Sequence, residues 1–320
     1  MSRAYRLLAG VTLGLAFIVV VVGAYVRLSD AGLGCPDWPF CYGQPVPSDI
    51  ADGDALAKAW KEMGHRYLAG TLGALILILA FWSWKARRSR WLASSILALV
   101  LFQATLGAWT VTMLLKPAIV TAHLLGGMTI LGALTWLAVS QLDPPPLALA
   151  HRLRIPAAIA LAVLAVQIAL GGWVSSNYAA LACPDVPLCL GRALPPMDFG
   201  NAFHVLRELG QTPQGELLSR EALTAIHWSH RMFALIAVAV IGWAAYRAMR
   251  VSKTMTAVVA GLLIVQFSIG VANVIVSRPL ALAAAHNAGA AGLLAALVVL
   301  NFFAFRAPRA THPVLQVNTP

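Results

Sequence analysis

Residues 7–26 read LLAGVTLGLAFIVVVVGAYV, twenty positions without one charged side chain. A bilayer's hydrocarbon core is about 30 Å thick and a helix rises about 1.5 Å per residue, so this is the length a spanning helix needs. Arg3 and Arg6 precede the run, as they would in a secretory leader. The run is long for a leader, however, and no A-x-A cleavage site follows. An uncleaved first span is expected.

Working outward, the same signal recurs at roughly 60–84, 92–114, 118–142, 155–177, 222–246, 254–276 and 280–305. The expected fold is an all-α integral membrane protein with eight transmembrane helices. Composition agrees. Of 320 residues, 60% are hydrophobic and 11% charged, where a soluble domain carries about 25% charged residues. An ordinary soluble enzyme and a disordered chain are both excluded.

The formal charge is +11, from 23 bases and 12 acids. In a soluble chain that would point to nucleic acid. In a membrane chain it is sorted by side. Eight spans place both termini on one face, with the even-numbered connections. That face collects thirteen bases, including Lys85, Arg87, Arg88, Arg90 and Arg309, against one acid, Asp143. The positive-inside rule then puts both termini in the cytoplasm of a cell (inner) membrane, and no nucleic-acid partner is implied. The long loops near 28–58 and 178–220 fall on the outer, periplasmic side.

The halves resemble each other. Cys35-Pro-Asp-Trp-Pro-Phe-Cys41 is echoed by Cys183-Pro-Asp-Val-Pro-Leu-Cys189. Glu62-Met-Gly-His65-Arg66 is echoed by His227-Trp-Ser-His230-Arg231. Gln103-x3-Gly107 precedes His123 as Gln266-x3-Gly270 precedes His286. Each copy holds four spans, an even number, so the copies share one orientation. The reading is two repeated four-helix bundles, residues 1–145 and 146–320, related by a pseudo-two-fold axis along the membrane normal.

His151, His204 and His312 read as loop or tail residues. His65, His123, His230 and His286 lie just inside spans, where an ionisable group is costly and marks function. All four sit near outer helix ends, one per even-numbered span. His65 can face His123 across one bundle, and His230 can face His286 across the other. Two neutral imidazoles flanking a flat ring are the axial arrangement of bis-histidine haem iron. A zinc ion would want three or four ligands. Gly126, Gly127, Gly289 and Gly292 follow the ligands, and suit either a macrocycle or close helix packing. Arg66 and Arg231 are candidates for haem propionates, or for snorkelling to the interface.

One position breaks the repeat. Glu62 stands where the second half has His227, which gives the two sites unequal roles. Glu62 reads as a general base or a stabiliser of positive charge, against an ordinary first-turn glutamate favoured by the helix dipole. The C-x5-C pairs lie in outer loops, so disulfides Cys35–Cys41 and Cys183–Cys189 are expected, as staples or as redox groups.

Taken together, Gly32-Leu-Gly-Cys-Pro-Asp-Trp-Pro-Phe-Cys41-Tyr-Gly, Glu62-x-x-His65-Arg66, His123, the second C-x5-C, His230-Arg231 and His286 resemble the haem A synthase family, in the form with a cysteine pair in each half. The resemblance spans nearly the whole chain. It implies oxidation of a ring methyl of haem O to a formyl group, by hydroxylation, giving haem A for terminal oxidases. It implies haem O between His65 and His123, haem b between His230 and His286, and Glu62 as the catalytic carboxylate. The partners it admits are haem O, the lipid bilayer, haem O synthase, an electron donor and a second copy of the chain. The alternative is a di-haem b electron carrier, such as a quinol-oxidising cytochrome b subunit. That class needs haems at different depths, whereas these four ligands lie at similar depth. A transporter would want polar residues at the midplane, and few are present.

Overall fold

The computed structural model describes residues 2–48 and 50–306; Arg309 and His312 lie outside the described residues. Eight long helices are present: α1 (Arg3–Leu28), α2 (Gly53–Lys85), α3 (Arg90–Thr112), α4 (Pro117–Leu142), α5 (Arg154–Ser176), then, after a one-turn α6 (Phe199–Ala202), α7 (Arg220–Ala248), α8 (Lys253–Ile275) and α9 (Leu280–Phe305). All eight are long and apolar enough to cross a bilayer. Among the described residues there is no strand beyond isolated bridges. This is a multi-pass, all-helical membrane protein.

Local chemistry sets the helix starts. Asp52 caps α2 by accepting the N–H of Asp54 at 3.0 Å. Ser219 caps α7 through Ala222 at 3.1 Å, and Ser252 caps α8 through Met255 at 3.3 Å. Pro117 opens α4, where its missing N–H costs nothing. The cap at Asp52 starts α2 well before position 60, the start expected from hydropathy. The extra residues, 53–59, carry Asp54 and Lys58, which an apolar window leaves out. Glu62 is therefore deep in its helix rather than in its first turn. The macrodipole explanation, which fades within one turn, no longer accounts for it.

Helix contacts close two rings. In the first, α1 meets α2 and α4, and α3 meets α2 and α4. In the second, α5 meets α7 and α9, and α8 meets α7 and α9. The rings join through α1, α4, α5 and α9. There Leu131, Leu134 and Leu137 of α4 and Leu293 and Leu297 of α9 are fully buried. Lipid is as apolar as leucine, so close packing and hydrogen bonds must hold helices together. At the seam, Thr121 and Ser176 share a hydrogen bond of 3.1 Å. Beside it, a Cβ on Gly172 would lie 2.9 Å from Leu124 Cδ2, so the missing side chain lets α5 pack closely on α4.

Candidate functional site

Each of the four span histidines packs against a glycine on a neighbouring helix. A Cβ on Gly23 of α1 would stand 2.8 Å from His65 Cε1 on α2. The matching separations are 3.2 Å for Gly107 of α3 and His123 of α4, 3.1 Å for Gly171 of α5 and His230 of α7, and 3.0 Å for Gly270 of α8 and His286 of α9. The imidazoles rest on bare backbone: a methyl at Gly23 would force His65 to shift, and at the other three positions it would crowd the ring by a few tenths of an ångström.

The Nδ1 atoms of His65, His123 and His286 are sealed from solvent without a hydrogen-bond partner among the described residues. His230 Nδ1 lies 3.2 Å from Gln167 Nε2. Each histidine is only partly buried. His65 and His123 are close enough to interact electrostatically, and so are His230 and His286. Among the described residues no three His, Cys, Asp or Glu groups converge as metal ligands. Paired, under-satisfied imidazoles fit axial haem ligation and do not fit a zinc centre.

Three glutamines brace these turns. Gln103 Nε2 donates to the His123 carbonyl at 2.6 Å. Gln167 Nε2 lies 3.2 Å from the His230 carbonyl as well as from its ring. Gln266 Nε2 lies 3.4 Å from His286 Nε2. All three stand one turn before a histidine-facing glycine. In α1 that place holds Val19, so His65 has no such brace. Gly126 and Gly289 make room for these amides rather than for a macrocycle: their Cβ atoms would fall 2.0 and 2.2 Å from Gln103 Oε1 and Gln266 Oε1. Gly127 also borders Gln103, and Gly292 borders Leu262. Gly23 and the third motif, Gln167-x3-Gly171, went unread in the sequence. The second was discoverable as a third Gln-x3-Gly, hidden because the long loop before α7 separates it from its histidine.

Glu62 is buried and held at both oxygens. Its Oε2 accepts the backbone N–H of Cys35 at 2.9 Å, and its Oε1 pairs with Arg66 Nη2 at 2.5 Å. In the second half the N–H of Cys183 donates instead to Nδ1 of His227, at 3.2 Å. His227 thus has a structural partner distinct from that of His230.

Both disulfides are formed, Cys35–Cys41 and Cys183–Cys189. The two loops are built alike. Asp37 accepts from the N–H groups of Tyr42 and Gly43, and Asp185 from those of Leu190 and Gly191. The Gly191 and Leu190 amides hold the Asp185 carboxyl below the usual carboxylate range. Arg66 and Arg231, expected at propionates, are engaged by loop carbonyls. Arg66 donates to Phe40 O at 2.7 Å and Asp37 O at 3.0 Å, Arg231 to Asp185 O at 2.9 Å and Pro187 O at 3.0 Å. The first loop sits directly on α2: a Cβ on Gly34 would lie 2.6 Å from the Lys58 backbone. His151 and His204 are exposed loop residues, as expected.

A family model described as cytochrome oxidase assembly protein (COX15-CtaA) matches residues 6–298. The chain belongs to the COX15-CtaA family. Curated relatives carry the name heme A synthase. The protein from Shewanella oneidensis is 40% identical over 95% of this chain and 98% of its own length. Those from Halalkalibacterium halodurans and Shouchella clausii are each 30% identical, over 73% and 70% of this chain and 78% and 75% of their own. The family match covers all eight long helices, except the first residues of α1 and the last of α9, and includes all four histidine–glycine contacts.

Proposed function

We propose that this chain is a haem A synthase, oxidising a ring methyl of haem O to the formyl group of haem A. The observation that carries the reading is the two pairs of partly buried span histidines and, among the described residues, a single buried carboxylate, Glu62, in a family whose curated relatives bear that name. Haem O is held by His65 and His123 in the N-terminal half, residues 1–145. Haem b is held by His230 and His286 in the C-terminal half, residues 146–320. The halves are related by a pseudo-two-fold axis along the membrane normal. The termini are cytoplasmic, and the disulfide loops face the periplasmic side.

Haem b, when bound, supplies one-electron chemistry beside the substrate. The residues do the rest. His65 and His123 orient the substrate. Glu62, the one carboxylate beside a histidine pair, takes up a proton at its carboxylate or stabilises positive charge. The Cys35 amide and Arg66 fix its two oxygens, so no reorganisation is needed when charge develops. The Cys35–Cys41 loop, seated on α2, shields Glu62 from water. Methyl-to-formyl conversion withdraws four electrons from one carbon, so an external redox partner completes the reaction. Arg66 and Arg231 serve propionates only by sharing them with the loops.

Haem extraction from the purified protein tests this. Low-spin haem b is expected, with haem O or haem A in smaller amount. Replacing His230 or His286 should strip haem b. A preparation free of haem under every condition would refute the reading. Two equivalent haems b with no haem A formed would favour the electron-carrier alternative.

A further inference from the structure

On the face where α5 begins and α7 ends, at the other end of α7 from His230, the surface folds into a recess of about 370 Å³. His151, Arg152, Arg154, Ile155, Trp243 and Arg247 line it, with no acid in the lining. Among the described residues none of these arginines is held in an ion pair. Arg154 spends Nε on the Ala304 carbonyl at 3.2 Å, which anchors its guanidinium at the rim. Arg247 lies over the Trp243 ring at 5.8 Å. The start of α5 lies at the same recess, continuous with a single 3-10 turn over Ala150–Leu153, and the Arg154 N–H is spent on the His151 carbonyl.

Abundance of bases on this face does not by itself make such a site. The Lys85–Arg90 stretch is just as basic, yet the recess beside it is lined by Ile78, Phe81, Trp82 and Lys85, a single cation. Arg90 there lies over both Trp84 and Trp91, 5.3 and 5.5 Å from their ring centroids. Of these two recesses it is the α5–α7 one that gathers three guanidiniums around one volume. Its surroundings also discriminate. Ile155 is 70% exposed and Trp243 is 41% exposed. Both lie at the end of spanning helices, where tryptophan marks the membrane–water border. An occupant therefore meets cationic donors above and apolar helix surface below.

We propose that this recess binds the phosphodiester headgroup of an anionic membrane lipid, whose acyl chains run along α5 and α7. Guanidinium forks match phosphate oxygens, and basic pockets between spanning helices on the cytoplasmic side suit anionic headgroups. The site lies across the membrane from the proposed haem chemistry and does not depend on it.

Native mass spectrometry of the delipidated protein, titrated with phosphatidylglycerol or with phosphatidylcholine, tests the proposal. One phosphatidylglycerol should bind in clear preference to phosphatidylcholine. Arg152→Gln with Arg247→Gln should weaken it about fivefold for each arginine removed. Arg87→Gln with Arg88→Gln, outside the recess, should leave it unchanged. These exposed substitutions spare Arg154 and its anchor, and an unchanged haem spectrum and elution volume verify folding. Equal binding of the two lipids, or equal loss in the two double variants, would overturn the site. Inorganic phosphate binding as tightly as the lipid would overturn the lipid as its occupant.

Discussion

The backbone N–H of Cys35 donates to Glu62 Oε2 at 2.9 Å, tying the first residue of a disulfide loop to the one buried carboxylate among the described residues. The same backbone position in the other half, Cys183, is tied to an imidazole, His227. One architectural contact is thus made by two different side chains. Only in the first half does it leave an anion next to the site. The contact constrains what each replacement should do.

Glu62→Gln keeps an acceptor for the Cys35 amide but removes the charge. Haem A formation should fall at least about a hundredfold, the lower range for general acid–base groups. Haem b content should be unchanged. Chromatography of extracted haems measures both. Normal haem A output from this variant would remove Glu62 from the mechanism.

His227→Ala and His230→Ala should separate cleanly. His230→Ala should lose haem b. His227→Ala should retain it while leaving the buried Cys183 N–H unpaired, at a cost of about 1–3 kcal/mol. The haem spectrum and a thermal melt report the two effects. Loss of haem b in His227→Ala alone would exchange the assignments.

Cys35→Ser with Cys41→Ser should free the first loop and spare the second. Closing so short a loop is worth about 2 kcal/mol in the chain-entropy model, and amide exchange over residues 32–44 should speed by about thirtyfold. Exchange over residues 183–192 should not change. Haem A formation should drop with it, because the loop holds Glu62. Unaltered exchange in both loops would show that the α2 contacts suffice.

Gly126→Ala and Gln103→Leu should act as one lesion. The alanine methyl occupies the place of Gln103 Oε1, so either change breaks the bond to the His123 carbonyl. Each should cost about 1 kcal/mol, in the range of interhelical hydrogen bonds. The double variant should be no worse than Gln103→Leu alone. Additive losses in thermal stability would mean the two residues act separately.

Much of the site was legible in one dimension. The apolar runs needed only length and composition, because lipid leaves a backbone few ways to satisfy its polar groups. The histidines stood out because ionisable groups inside spans are rare. Glu62 was visible only by comparison with His227, and its partners were not visible at all. The cap at Asp52, which extends α2 outward, removed the dipole explanation that hydropathy had left standing. Arg66 and Arg231 looked free for propionates because nothing in the local pattern says that a loop 26 to 46 residues upstream folds back to take them.

The sequence by itself determined the eight spans, the landmarks that recur in both halves and the identity of the chemical groups, since these follow from hydropathy and residue type. The tertiary structure decided which groups meet. It set each imidazole on a bare glycine backbone, filled Gly126 and Gly289 with glutamine amides, and bound Glu62 to Cys35. Those contacts join residues 16 to 59 positions apart, on different helices or between a loop and a helix. They exist only once close packing brings the helices together, a consequence of three-dimensional fit that no local pattern encodes.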